Sequence, residues 1–283
     1  MIYSLITVYN PKSVEDVNRN IYTIASQVDK IYICDNSASK TLFSELPSNS
    51  EHLFFNKNLG LSQAFNKVLK GFTFNDEDFI IFFDQDSLIS EGYINSLIDI
   101  YKELESNNIK VGCLCPVLFN STSNSIIEVD KSKQLLEGCY EVSQMLTSST
   151  MCRYSVLNKI NFWNEKVFLD LADFDLTWRV KNAGYKNIRT DRLLFNHTYG
   201  DSIKKFGKYK ITVEAPVREY YQLRESLYLL PKKYVPSKYK KKFLFAVTFR
   251  PLLHILLLDN KLKRLKFMLV AWKDFINKKY GEL

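Results

Sequence analysis

Apolar and polar residues alternate along the first half of the chain in a pattern that predicts strands and helices in turn. Short apolar runs typical of buried strands lie at 3–10, 30–39, 52–56, 79–87 and 110–119. Apolar residues with helical spacing predict helices at 13–28, from about residue 62, and at 89–106. Ser13 is placed to cap the first of these helices. Strands that alternate with helices through short connections predict an α/β fold with a mostly parallel sheet.

The second half of the chain has a different pattern. A polar loop is followed by a predicted strand at 140–150, by a helix that opens near Tyr154, and by an acidic segment at 167–185. The last part of the chain is helical, aromatic and basic. We therefore predict two regions, a large α/β domain and a basic helical C-terminal region, at 1–215 and 216–283.

Polar clusters stand where the predicted strands end, at 7–10, 35–37, 56–60 and 84–86. Ligands of open α/β sheets bind outside the carboxyl ends of the strands. Asp84 and Asp86 follow five consecutive apolar residues, and such charges are costly to bury without partners. Two carboxylates at the rim of a sheet can share Mg²⁺ or Mn²⁺, which also bind diphosphate oxygens. The same Asp-x-Asp pattern at Asp76 and Asp78 precedes the strand and predicts only a solvated loop.

Two further strand ends suit a nucleotide. Asp35 can accept hydrogen bonds from the imide of uracil or thymine or from a ribose hydroxyl, and an Asx turn is the alternative. Gly60 beside Asn58 permits a close approach of the main chain to a nucleotide. Ser62 is predicted to cap the next helix, because Ala64 stands where a nucleophile elbow requires glycine.

The acidic segment carries three aspartates, of which Asp175 can pair with Arg179 at i, i+4. A remaining carboxylate, Asp170 or Asp173, can then act as a general base, although acidic residues also simply favour a helix start. His197 follows a strand-like run and is a candidate metal or phosphate ligand, with a hydrogen-bonded loop histidine as the alternative.

Together these stretches resemble the family-2 inverting glycosyltransferases of the GT-A fold, most closely the rhamnosyltransferase-like branch that builds bacterial surface polysaccharides. The resemblance extends over roughly residues 2–226. The matching pieces, in chain order, are ITVYNP, YICDNS, NKNLGLSQAFN, FFDQDS, FLDLADFDLTWRVKNAGY, HTYGD and YYQLRES.

The resemblance implies a metal-dependent enzyme with a nucleotide-sugar donor. It suggests L-rhamnose from dTDP-rhamnose, with galactofuranose or another hexose from a UDP-sugar as the alternative. The implied acceptor is a saccharide on polyprenyl diphosphate, in O-antigen or capsule-type synthesis. By matching position, the nucleotide-sugar residues are Thr7, Tyr9, Asp35, Asn58, Gly60, Asp84 and Arg224. The implied metal ligands for Mg²⁺ or Mn²⁺ are Asp84, Asp86 and His197. The implied catalytic base is Asp173, with Asp170 as the second candidate.

Two departures from the family pattern leave the acceptor open. Relatives often read Ser-Gly where this chain has Ser148 and Ser149, and many read Glu-Trp where it has Asp175 and Leu176.

Charge is concentrated at the C-terminus. The net charge is +8, yet residues 231–283 alone hold fourteen Lys or Arg and three Asp or Glu, an excess of 11. Such a region binds anionic surfaces or is a solvated helical face, a lid or a dimer contact. We expect a membrane surface and no nucleic acid, because no nucleic-acid motif is present. A basic arm that binds nucleic acid is the competing function, and a metal-dependent hydrolase or nucleotidyltransferase is the third.

Five cysteines without a C-x-x-C pair predict reduced thiols of a cytosolic protein. The first residues predict a strand and not a signal peptide. The most lipophilic run, 243–258, is interrupted by Arg250, Pro251 and His254, so it can lie on a membrane but should not cross one. We expect a cytoplasmic protein, peripheral on the inner face of the plasma membrane.

Overall fold

The computed structural model of the chain describes residues 1–120, 125–126, 129–197, 202–206, 209–213 and 215–283. Only the main chain is described at residues 120, 125, 197, 202–206 and 209–213.

A ten-stranded sheet forms the centre of the fold. Its strands are β1 (Ile2–Val8), β2 (Lys30–Asp35), β3 (Ser50–Phe54), β4 (Phe79–Asp84), β5 (Val111–Asn120), β6 (Ser125–Ile126), β7 (Gln134–Leu136), β8 (Cys139–Val142), β9 (Thr150–Arg153) and β10 (Lys186–His197). Their order is β3-β2-β1-β4-β9-β5-β10-β8-β7, with β6 paired to β5. A separate antiparallel pair consists of β11 (Ser202–Phe206) and β12 (Tyr209–Val213).

The first four strands are all parallel, as the alternating pattern predicted. β9 runs antiparallel between β4 and β5, and β10 is again parallel to β5. The carboxyl ends of β1, β2, β4 and β10 therefore lie at the same edge of the sheet.

The helices are α1 (Val14–Ala25), α2 (Gly60–Gly71), α3 (Tyr93–Ser106), α4 (Tyr154–Lys159), α5 (Ala172–Asn182), α6 (Arg218–Leu229), α7 (Ser237–Thr248), α8 (Arg250–Leu257) and α9 (Lys261–Ile276), with a 3₁₀ turn at Lys131–Lys133. The Ser13 hydroxyl accepts the N–H of Asp16, so the predicted cap of α1 is confirmed. 

Apolar side chains pack against both faces of the sheet, which explains the unbroken apolar run of β4. Ile80 and Phe82 belong to the cluster that contains α2, whereas Ile81 and Phe83 belong to the cluster that contains α1 and α3. A strand buried on both faces can end in charged residues only at its rim, which is where Asp84 lies.

Three local predictions were wrong. Ser62 does not cap α2, since the helix begins at Gly60 and Ser62 is buried within it. The segment 140–150 is not one strand, because the turn from Thr147 to Thr150 separates β8 from β9. Asp78 is not solvated, since its buried carboxylate forms an ion pair with the N-terminal amine of Met1 at 2.7 Å.

The C-terminal helices pack on one another through buried charge. The Glu219 carboxylate of α6 accepts hydrogen bonds from His254 of α8 and Arg264 of α9. Phe168 packs in the same cluster as α6 and α9, so the C-terminal helices contact the first region, and the boundary at residue 215 stays a prediction. Among the described residues, no helix is long and apolar enough to cross a membrane.

Candidate active site

The ends of the parallel strands bring several of the predicted side chains to one row. Thr7 pairs in register with Asp84, and the next residue, Val8, pairs with Asp35. His197 ends β10 at the same edge of the sheet, but its side chain lies outside the described residues. The sheet therefore brings Thr7, Asp35 and Asp84 to one edge, as expected for the ends of parallel strands.

The loop that follows β4 is held by short hydrogen bonds. The Ser87 hydroxyl accepts the N–H of Asp84 at 3.0 Å, and the Gln85 side chain accepts the N–H of Tyr9 at 2.8 Å. Asp86 is exposed between these two anchors. The loop thus fixes its main chain to β1 while it leaves the Asp86 carboxylate in solvent, where a ligand can reach it.

Asp35 has a different role from the one predicted for its side chain. Its carboxylate is fully buried and accepts the N–H groups of Ser37 and Thr41 and a ring nitrogen of His52, at 2.8 to 3.0 Å. Burial alone would raise the pKa of Asp35, but these hydrogen bonds outweigh it and lower the pKa. The bond to Ser37 is the Asx turn given as the alternative, so the carboxylate shapes the loop after β2.

The start of α2 requires glycine. Asn58 accepts the N–H of Gly60 at 2.9 Å, and Gly60 has a φ of +70°. A Cβ on Gly60 would lie 2.4 Å from the carbonyl oxygen of Phe168, which accepts the N–H of Leu61 at 2.8 Å. The turn after β3 is therefore pressed against the segment that leads to α5.

Asp173 lies in the first turn of α5 and is half-buried. Its carboxylate accepts a hydrogen bond from the Thr147 hydroxyl. Burial raises the pKa of Asp173 to about 7, and the negative charges of Asp84 and Asp170 add to this effect against the Thr147 hydrogen bond. The structure thus brings Asp173 close enough to the end of β4 for the two carboxylates to interact.

The other two aspartates of the segment are engaged in ion pairs. Asp175 is buried, pairs with Arg179 at 2.7 Å as predicted, and also accepts the Tyr234 hydroxyl at 2.6 Å. The buried Asp170 carboxylate pairs with Arg218 of α6, so it is less suited than Asp173 to accept a proton from an acceptor hydroxyl. Of the two candidate bases, the geometry favours Asp173.

Arg224 is not placed as predicted. Its side chain is fully buried in the C-terminal helices, where it donates to the Tyr220 hydroxyl at 2.5 Å and to the carbonyl oxygen of Gly281 at 2.7 Å. The guanidinium also lies over the rings of Tyr220 and Tyr221. The guanidinium is buried and cannot reach a ligand at the strand ends in this arrangement, so Arg224 is removed from the set of phosphate contacts.

Sequence reasoning missed three residues of this region: Gln85, Thr147 and Glu225. Gln85 was visible only as the spacer between two aspartates, and Thr147 only as part of a polar run. Glu225 is a fully buried acid of α6 that binds the segment before α5. An acid on a helix usually indicates a solvated face, so no pattern in the sequence marks it.

Among the described residues, no group of three or more His, Cys, Asp or Glu side chains could hold a metal ion. The side chain of the third predicted ligand, His197, lies outside the described residues. The two remaining ligands, Asp84 and Asp86, supply carboxylate oxygens, which suit hard divalent cations. The charge of Asp84 is strong enough to raise the pKa of Asp173, so this edge carries negative charge that a cation would offset.

The chain is similar to known proteins over nearly its whole length. No family model matches the chain. The dTDP-rhamnosyl transferase RfbF of Shigella flexneri is 26% identical over 287 residues, which is 97% of this chain and 95% of that protein.

Solved structures show the fold. GalNAc-T7 with UDP, GalNAc and Mn²⁺ matches 99% of this chain with a TM-score of 0.57 and 12% identity, and this chain spans 57% of its length. TarS residues 1–349 of S. aureus in complex with UDP-GlcNAc matches 98% of this chain and 80% of its own, with a TM-score of 0.56 and 16% identity. The chain therefore has the predicted GT-A fold, and its resemblance to a rhamnosyltransferase is confirmed.

Proposed function

We propose that the protein is an inverting glycosyltransferase that moves L-rhamnose from dTDP-rhamnose to a hydroxyl group of a saccharide. One observation carries the proposal: Asp173, with a pKa raised to about 7, lies in the first turn of α5, close enough to Asp84 at the carboxyl end of β4 for the charge of Asp84 to act on it. A base is most effective when its pKa is close to the working pH. The rhamnosyl transferase relative supports the choice of donor.

The reaction is a single displacement. The oxygen of the acceptor hydroxyl attacks the anomeric carbon, and the bond from that carbon to the diphosphate oxygen breaks. The nucleoside diphosphate leaves with the electron pair, and Asp173 takes the proton of the attacking hydroxyl. Attack from the face opposite the leaving group inverts the anomeric carbon.

The donor binds along the strand ends. Thr7 and the exposed ring of Tyr9 contact the nucleotide, and the turn at Asn58 and Gly60 lets the main chain approach it. Asp35 acts through the loop that its carboxylate holds.

Asp84, Asp86 and His197 would hold Mg²⁺ or Mn²⁺. A bound divalent cation neutralises charge that develops on the departing diphosphate. The GalNAc-T7 structure was determined with UDP and Mn²⁺, which supports a cation in a fold of this kind.

Titration calorimetry with dTDP and UDP, each with Mn²⁺ or with EDTA, tests the donor site. We expect metal-dependent binding, tighter for dTDP, that is lost in Asp86→Ala. The matched control is Asp76→Ala, because Asp76 is also exposed in an Asp-x-Asp pair but precedes β4 at the other edge of the sheet. Failure of the folded protein to bind either nucleotide would overturn the proposal, and tighter binding of UDP would favour a UDP-sugar donor such as UDP-galactofuranose.

Product analysis separates transfer from hydrolysis. We expect dTDP to be released from dTDP-rhamnose only when a saccharide acceptor is present. Release at the same rate without any acceptor would instead favour the metal-dependent hydrolase.

We also propose that the acceptor is linked to polyprenyl diphosphate and that the C-terminal helices bind the inner face of the plasma membrane. α9 carries an exposed apolar stripe at spacings of three and four, formed by Leu262, Leu265, Leu269, Trp272 and Ile276. Four further leucines of α8 are exposed: Leu252, Leu253, Leu256 and Leu257. In α7, Phe245 is exposed but Phe243 is buried in the core.

Charge favours lipid over a second protein as the occupant of this surface. Exposed lysines, among them Lys263, Lys266 and Lys273, flank the stripe on α9. Lysine is depleted in protein interfaces but is common on helices that lie in the plane of an anionic membrane. Each lysine near such a surface contributes on the order of 1 kcal/mol.

Flotation with phosphatidylglycerol vesicles tests the membrane proposal. We expect binding that weakens at high salt and with phosphatidylcholine alone, and that is lost in Leu269→Asp. Leu42→Asp is the control, because Leu42 is also exposed but lies outside the C-terminal helices. Loss of a dimer in Leu269→Asp, without vesicle binding by the wild type, would identify the surface as a dimer contact. Salt-sensitive DNA binding that survives Asp86→Ala would favour the nucleic-acid alternative.

A further inference from the structure

The segment 168–171, which leads into α5, is held by α6 at every residue. The ring of Phe168 stacks on Tyr221, with centroids 4.7 Å apart. Asp170 pairs with Arg218. The main-chain N–H groups of Phe168, Leu169 and Leu171 all donate to one side chain of the same helix, Glu225.

The Glu225 carboxylate accepts three main-chain hydrogen bonds. One of its oxygens, Oε1, accepts the N–H groups of Phe168 at 2.8 Å and Leu169 at 3.0 Å, and Oε2 accepts the N–H of Leu171 at 2.8 Å. Glu225 is fully buried. A buried acid is costly unless hydrogen bonds satisfy it, so its oxygens and these three donors depend on one another.

The segment that Glu225 holds connects the two halves of the candidate site. Towards the donor side, the carbonyl oxygen of Phe168 accepts the N–H of Leu61 and fills the space above Gly60. Towards the base, Leu171 immediately precedes α5 and accepts the N–H of Asp175, so Asp173 lies in the turn that Leu171 starts. A shift of 168–171 would therefore move α5 relative to α2.

We propose that Glu225 is a positioning residue that fixes the distance between the carboxylate of Asp173 and the donor bound at the start of α2. The proposal rests on the proposed function, in which Asp173 is the base. Glu225 itself touches neither substrate, since it is buried behind the main chain of 168–171. Misplacement of a base by about 1 Å can lower a rate on the order of 100-fold.

The substitution Glu225→Gln removes one hydrogen-bond acceptor while it keeps the size of the side chain. Glutamine has the same size, but it offers one acceptor oxygen and one amide group that only donates. Its oxygen can keep the bonds to Phe168 and Leu169, and its NH₂ group then faces the N–H of Leu171 without an acceptor. The residue that precedes α5 is thereby released while the packing of α6 is preserved.

The control is Glu219→Gln. Glu219 is also a buried acid of α6, but its partners are His254 and Arg264 in α8 and α9. Both variants replace a buried acid of one helix by its amide, and only Glu225→Gln acts on the segment before α5. A general loss of stability would therefore affect both variants, whereas misplacement of Asp173 would affect only one.

We expect kcat of Glu225→Gln to fall by on the order of 10- to 100-fold at a temperature where both variants are folded, with kcat of Glu219→Gln within about twofold of wild type. The pH at which the rate is half-maximal should stay near that of wild type, because Asp173 and not Glu225 takes the proton. Equal kcat values in the two variants, or loss of the pH dependence in Glu225→Gln, would overturn the proposal.

Amide hydrogen exchange provides a second measurement that needs no activity. We expect Glu225→Gln to speed exchange at Leu171 and Leu61, and Glu219→Gln to leave both unchanged. Unchanged exchange in Glu225→Gln would overturn the inference even if the rate fell. A wild-type protein that transfers no sugar would instead overturn the proposed function, and the exchange measurement would still decide whether Glu225 holds this segment.

Discussion

The substitution Gly60→Ala tests the close contact between the start of α2 and Phe168, in the segment before α5. In Gly60→Ala, the new Cβ would lie 2.4 Å from the Phe168 carbonyl oxygen and 2.5 Å from its ring. The same alanine would also have to adopt a φ of +70°. The substitution therefore combines a backbone cost with a steric one.

The two costs can be estimated separately. A non-glycine residue in the left-handed region loses about 1–2 kcal/mol. The oxygen of Phe168 belongs to the main chain, so it cannot rotate away, and its movement would break the hydrogen bond from Leu61. A buried donor left without its partner costs about 1–3 kcal/mol. We expect Gly60→Ala to lower the free energy of unfolding by about 2–5 kcal/mol, the sum of these two terms.

Two other glycines serve as matched controls in urea unfolding. Gly92 has a φ of +71° but open space around its Cβ, so Gly92→Ala should show only the backbone cost of about 1–2 kcal/mol. Gly71, at the end of α2, has neither feature, and Gly71→Ala should be neutral or stabilising by up to about 1 kcal/mol. A loss in Gly60→Ala no larger than that in Gly92→Ala would refute the close contact with Phe168. We also expect only Gly60→Ala to weaken dTDP binding in calorimetry.

Three further predictions concern other parts of the candidate site. The pKa of Asp173 is raised to about 7 in the folded protein, so the folded state holds its proton more tightly than the unfolded state does. The free energy of unfolding should therefore fall relative to that of Asp173→Asn as the pH rises from about 4 through 7, while the rate of transfer rises over the same range. A difference in unfolding free energy between the two proteins that stays constant across this range would contradict the assignment. Asp175→Ala should cost about 3–5 kcal/mol in urea unfolding, because it leaves the charge of Arg179 without its buried partner, and a loss below about 1 kcal/mol would show that the pair is solvated. Ser149 has a φ of +62° and bonds the Tyr93 hydroxyl, so thermal unfolding should find Ser149→Gly more stable than Ser149→Ala, since both lose the bond but only glycine relieves the backbone; the reverse order would show that the backbone is not strained there.

The sequence predicts the frame of the site well, because local patterns determine it. The strand ends that carry Thr7, Asp84 and Asp86 follow from apolar runs that stop at polar residues, and a parallel sheet places such ends at one edge. The pairing of Asp175 with Arg179 likewise follows from helical spacing alone.

Contacts between distant segments set what the sequence could not predict. Asp35 reads as a ligand-binding acid until Thr41 and His52 are seen to occupy its oxygens. Arg224 was predicted as a phosphate ligand, whereas in the structure the carbonyl oxygen of Gly281, near the C-terminus, accepts its hydrogen bond. The sequence indicates that Glu225 is a surface residue, because its hydrogen-bond partners lie more than fifty residues earlier in the chain and form no local pattern with it.

The structure explains what Ser149, one of the residues that differ from the family pattern, contributes to the fold. The family pattern often has glycine here, whereas this chain has a serine with left-handed backbone whose hydroxyl hydrogen-bonds the Tyr93 hydroxyl at 2.5 Å. The neighbouring Ser148 shares a hydrogen bond with Ser87 of the loop after β4. The pair thus ties the loop that carries Thr147 to the loop that carries Asp86, so a change that looked relevant to the acceptor also supports the donor side.

Two aspartates at this edge show how environment separates a structural acid from a reactive one. Asp35 is fully buried and Asp173 half-buried, and burial acts to raise the pKa of each. Asp35 receives hydrogen bonds from Ser37, Thr41 and His52, which hold it ionised, whereas Asp173 receives one from Thr147 and also faces the negative charge of Asp84. Groups whose environments drive their pKa values apart take different roles. The same fold therefore holds one carboxylate permanently charged to shape a loop and leaves the other able to exchange a proton near neutral pH, which is what the proposed transfer requires of its base.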